Sequence, residues 1–65
     1  MYKNSIKKYR KSKSMTLKDL SDRTGISIGY LSHLENQTRN NPSREIMEKI
    51  SGALNSTIPE IFFSE

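Results

Sequence analysis

The sequence has no cysteine and no tryptophan, and only three glycines and two prolines among 65 residues. Without cysteine there is no disulfide staple, no thiolate metal ligand and no thiol nucleophile. Small secreted domains usually depend on such staples, so a cytoplasmic protein is expected. The longest apolar run is Ile61, Phe62 and Phe63, far short of the roughly 20 residues a membrane helix needs and of a signal-peptide core. A single histidine, His33, has no second imidazole and no facing acid cluster, so no metal or other cofactor is expected. Neither a glycine-rich phosphate loop nor a nucleophile and base at motif spacing is present. An enzyme is therefore not expected.

What is present is charge, unevenly spread. The net charge is +4. Residues 1–13 hold six cations (Lys3, Lys7, Lys8, Arg10, Lys11, Lys13) and no acid. Residues 14–43 balance three against three, and the stretch from Arg44 onward has two bases and four acids. A basic front suits a protein that meets a polyanion, although lysines on a first helix also serve plain solubility.

A chain this short makes one domain, spanning 1–65, with an economical core. The apolar residues recur at helical spacing and no alternating segment is long enough for a strand. A first helix is predicted over about residues 2–12, with Tyr2, Ile6 and Tyr9 on one stripe. Thr16 and Asp19 have the spacing of a capping box for a second helix, which turns Leu17 and Leu20 inward and ends at Gly25. Ser27 caps a third helix with an inward stripe of Tyr30, Leu31 and Leu34. After the polar stretch 36–42, Ser43 caps a fourth, buried through Ile46, Ile50, Ala53 and Leu54, and Asn55 ends it. Thr57, Pro59 and Glu60 then start a short last helix that packs Ile58, Ile61 and Phe62. The expected fold is all-α, a bundle of about five short helices.

The stretch "TLKDLSDRTGISIGYLSHLEN", residues 16–36, sets a tight glycine corner between two of these helices. Ser21, four residues before Gly25, is small enough for a close backbone approach, and Ile26 fills the angle. That is helix-turn-helix geometry. The segments "IKKYRKSKSMTLKDLSDRTGIS", "GYLSHLEN", "NPSREIMEKISGAL" and "IPEIF", in this order, resemble phage-repressor-type (Cro/Xre-like) helix-turn-helix domains. The likeness is greatest to small bacterial repressors of biofilm formation and sporulation. The resemblance implies a lambda-repressor-like fold and a sequence-specific regulator of transcription, a repressor, whose third helix (starting at Ser27) enters the major groove of double-stranded DNA as a homodimer on a two-fold-related site. It also implies an ion pair between Arg10 of the first helix and Glu35 late in the third.

On the third helix, Ile28, Gly29, Ser32, His33 and Asn36 share the face opposite the core stripe. That face has no charge and little bulk, unlike an ordinary solvated face. Helix starts at Thr16 and Ser27, with Lys18, are expected to meet phosphates. Arg39, in the polar run 36–41, is the expected backbone contact of that loop. Phe62 and Phe63 form an apolar end that serves either as a dimer contact or in the chain's own core. The alternative function is a protein-interaction module of the same fold, binding an antirepressor or toxin protein. Lys18 and Arg39 at the groove rim favour DNA.

Overall fold

The computed structural model of the protein describes residues 4–36 and 42–63, and these fold as five helices. They are α1 (Ile6–Ser12), α2 (Leu17–Thr24), α3 (Ile28–Glu35), α4 (Arg44–Ala53) and α5 (Pro59–Phe63), the last a single wide turn of π-type winding. No strand occurs among the described residues. The expected all-α bundle is borne out.

Local chemistry explains where these helices begin. The hydroxyls of Thr16, Ser27 and Ser43 accept the backbone N–H groups of Asp19, Tyr30 and Ile46, three positions into α2, α3 and α4. Each bond replaces a partner that the first turn of a helix lacks, and is worth about 1 kcal/mol. At α2 the box closes, since the Asp19 carboxylate accepts the Thr16 N–H at 3.0 Å. Thr57 and Glu60 repeat the exchange ahead of α5. The first helix starts later than the spacing predicts. Asn4 Oδ1 accepts the Ile6 N–H, and the Ser5 N–H donates to the Ile61 carbonyl, so residues 4 and 5 are tied down outside the helix. Tyr2 lies outside the described residues.

The ends of α1, α2 and α4 are set by residues in the left-handed conformation, Ser14, Gly25 and Asn55. After α1 the Met15 N–H reaches back to the Arg10 carbonyl and the Ser14 N–H to that of Lys11. After α4 the Ser56 and Asn55 N–H groups do the same to Ser51 and Gly52. Both are Schellman closures, which satisfy carbonyls that the helix leaves orphaned. Asn55 was legible as a stop; Ser14, a residue with no special freedom at positive φ, was not.

The core fills the angle between α2 and α3 with Leu20, Ile26, Leu31 and Leu34. Ile50 and Leu54 close it from α4, Ile61 and Phe62 from α5, and Ile6 from α1. Fully burying one such side chain is worth roughly 1.5–3 kcal/mol. Phe62 is 2% exposed, so of the apolar end 61–63 only Phe63, 64% exposed, remains on the surface. Of the two places the sequence left open for Phe62, a dimer contact or the chain's own core, the structure shows the core. The buried Met15, Thr24 and Ser51 had not been expected in the interior.

Candidate nucleic-acid interface

The corner between α2 and α3 is stitched by short-range bonds. The Gly25 N–H donates to the Ser21 carbonyl at 2.8 Å, with Gly25 at φ 76°. The Thr24 hydroxyl donates to the Leu20 carbonyl and accepts the Ile26 N–H. The Ser21 hydroxyl donates to the Ile26 carbonyl across the turn, and Ile26 itself is buried. The start of α3 therefore has a fixed direction relative to α2. Thr24 was missed from sequence because its hydroxyl acts on a neighbour two residues on, a pattern shared by many exposed threonines.

The other end of α3 is held by α1. Arg10 Nε and Nη2 donate to the two carboxylate oxygens of Glu35 at 2.7 and 3.1 Å, a fork that fits the planar guanidinium. The side chains are 10% and 5% exposed. Arg10 Nη1 donates to the Met15 carbonyl, and Asn4 Nδ2 to the Leu34 carbonyl at 2.9 Å. The hydrogen bond to Glu35 raises the Arg10 pKa above its ordinary value, against desolvation, and the Glu35 charge adds to the rise. Both ends of α3 are thus clamped, one by the turn and one by α1.

Between those clamps lies the surface of interest. Ile28 is 46% exposed, Gly29, His33 and Asn36 are exposed, and Ser32 is half-buried. The Asn36 side-chain amide donates to the Ser32 hydroxyl at 3.4 Å. A Cβ added to Gly29 would meet nothing within 4 Å, so no packing within the described chain requires glycine there. The structure brings Ile28, Gly29, Ser32 and His33 onto α3 and Asn36 onto its C-terminal cap, with no acidic side chain, lysine or arginine among them.

The rim is less uniform than the sequence suggests. Thr16 and Ser27 are exposed caps, but Asp19 places a carboxylate at the start of α2, whereas the first turn of α3 has no acid. A carboxylate already complements the positive end of the α2 dipole and opposes a second anion there. The Thr16 N–H, then the Thr16 hydroxyl, hold the Asp19 carboxyl below its ordinary pKa, with smaller help from Arg23 and Lys18. Of the two helix starts, that of α3 is the better anion site. Lys18 is exposed and its Nζ lies 3.1 Å from Asp22 Oδ2, one turn on. Arg39 and its neighbours 37–41 lie outside the described residues.

Charge separates the helices. In α4, Arg44 pairs with Glu48 and Lys49 with Glu45. In α1, Lys7, Lys8 and Lys11 are exposed and, with no acid on their own helix, make no ion pair among the described residues. The same helix that braces the end of α3 therefore projects an uncompensated positive field. No group of acids and histidines suited to a metal ion occurs among the described residues.

Five helices, a stitched corner and an uncharged exposed helix face define a helix-turn-helix domain, and the family of that description matches residues 6–61. The chain belongs to this helix-turn-helix family. It is 38% identical over 53 residues to the HTH-type transcriptional regulator SinR of Bacillus subtilis (strain 168), which covers 82% of this chain and 48% of that protein. It is 35% identical over 60 residues to the HTH-type transcriptional regulator SlrR of the same organism, covering 92% and 40%. The chain spans about half the length or less of these curated relatives. Among solved structures it is similar to SinR, the master regulator for biofilm formation, in complex with DNA, with a TM-score of 0.78, 38% identity, and coverage of 82% of this chain and 84% of that one. It is also similar to a chain of the SinR–SinI protein complex, with a TM-score of 0.79, 37% identity and coverage of 83% and 52%. The resemblance read from the motifs is borne out at the level of the family. No described helix is long and apolar enough to cross a membrane.

Proposed function

We propose that this chain is a sequence-specific, duplex-DNA-binding repressor of transcription, working in the cytoplasm as a dimer, with α3 lowered into the major groove. The observation that carries the reading is the exposed face of α3. It is uncharged, it is narrow at Gly29, and it is held rigidly at both ends. The likeness to a SinR chain in complex with DNA supports it independently. In this reading Ile28, Ser32, His33 and Asn36 meet base edges, and Gly29 lets the backbone come close. The start of α3 at Ser27 takes a phosphate, Thr16 and Lys18 lie along the backbone beside it, and Arg39 adds a further backbone contact. Phe63 is the apolar contact between protomers. The chain has no catalytic role and takes no cofactor. A protein partner of antirepressor type is a second reading, supported by the likeness to a SinR chain in complex with SinI.

Selection of bound duplexes from a random pool, followed by a salt titration of the winners, tests the proposal. Log K is expected to fall linearly with log salt at a slope of about −0.9 per phosphate neutralised. Two half-sites about one helical turn apart, near 34–36 Å, are expected for the dimer. Absence of any bound duplex at low salt overturns the reading.

A further inference from the structure

We propose that Ile28, beside the bare backbone of Gly29, selects thymine through its C5-methyl group. The inference rests on α3 being a groove helix, as proposed above. Ile28 is the first residue of α3 and, with Phe63, is one of two large apolar residues exposed among those described. It is absent from the apolar residues that pack against the core. Isoleucine is also a weaker helix former than lysine or glutamate, the usual residues of a solvated face. Neither packing nor helix propensity accounts for it.

The major groove supplies a reason. Its base edges present hydrogen-bond donors and acceptors, and one apolar group, the thymine methyl. Against a donor or acceptor, the Ile28 side chain would strip away water and return no hydrogen bond, which is costly. Against a thymine methyl, both surfaces leave water. Isoleucine here therefore favours thymine over cytosine, which has no methyl and instead carries an amino donor nearby. Gly29 makes the approach feasible, because no described residue reaches the space where its Cβ would stand and there is no side chain at that position to hold the helix off. The polar readers Ser32 and His33 lie a turn further along, so discrimination by methyl groups is concentrated at the base pairs nearest the start of α3.

The test uses a duplex obtained by selection and replaces each thymidine singly by deoxyuridine, which removes only the methyl. The wild-type protein is expected to lose about fourfold in affinity at one or two positions, the factor given by burying one methyl group's worth of apolar surface. The Ile28→Ala variant changes an exposed side chain and is expected to fold as the wild type does, which circular dichroism checks. It should bind the thymidine and deoxyuridine duplexes equally. Indifference of the wild type to deoxyuridine at every position overturns this inference alone, and so does an Ile28→Ala variant that keeps the discrimination. Failure to select any duplex removes the DNA reading and this inference with it.

Discussion

Gly29 and Gly52 are both exposed helical glycines, and at neither would a Cβ touch another described residue. Each lowers helix stability by about 1 kcal/mol relative to alanine. Gly29→Ala and Gly52→Ala should both shift a urea melt to higher midpoint by up to that amount. Only Gly29→Ala should weaken binding to the selected duplex, on the order of tenfold. Equal affinities for the two variants would argue that no surface comes close to Gly29. Ser51 is a different residue-scale departure, with a buried hydroxyl that has no hydrogen-bond partner among the described residues. An unpaired buried polar group costs about 1–3 kcal/mol. Ser51→Ala is expected to stabilise the domain at the low end of that range without altering DNA affinity, and a destabilised variant would show that the hydroxyl has a partner after all. The burial of Ser51 was not legible in the sequence, because it depends on how α4 is rotated against its neighbours. The exposed, uncharged row from Ile28 to Asn36 was legible, because one helix face is fixed by spacing alone.

The helices show the same division between local and long-range information. Thr16, Gly25, Ser27, Ser43 and Asn55 were readable because each acts within a few residues of itself. The delayed start of α1 was hidden, since it follows from the Ser5 bond to Ile61, 56 residues away. So was the Asn4 bond to Leu34, which braces α3. At α2 the capping box gives a pH dependence with a definite sign. The folded-state carboxyl of Asp19 is held below the ordinary 3.8, so its contribution is complete above that value and is lost as pH falls through the lower, folded one. The stability difference between wild type and Asp19→Asn should therefore shrink between about pH 5 and pH 2 in parallel urea melts. A constant difference would mean that the carboxylate does no capping. Between α1 and α3 the Arg10–Glu35 fork makes a sharper prediction. Its removal on one side leaves a stranded charge, costing about 3–5 kcal/mol where water is excluded. Arg10→Met should lose most of that, while Arg10→Met with Glu35→Leu should recover a good part of it. Matching small losses in the single and double variants would show that the pair contributes little.

At the scale of the whole molecule, two adjacent phenylalanines have opposite fates. Phe62 is 2% exposed and joins the core, whereas Phe63, the last described residue, is 64% exposed at the far end of α5. The side of α5 that Ile61 and Phe62 share is tied to α1 through the Ser5 bond to Ile61, so α5 cannot rotate to bury Phe63 without giving up that bond and its own packing. A domain this small has little surplus stability, and an exposed phenylalanine contributes almost nothing to it. Its value lies between molecules if the chain pairs on a two-fold site. Phe62→Ala should cost about 3–5 kcal/mol, the usual loss for a buried phenylalanine, and approach unfolding. Phe63→Ser should leave the melting temperature within a degree or two of the wild type, since surface changes stay within about 0.5 kcal/mol. On a duplex with both half-sites, Phe63→Ser should bind each half-site with its single-site affinity but without cooperativity, in a gel shift that resolves one-bound from two-bound species. Retained cooperativity with an unchanged fold would move the dimer contact away from α5.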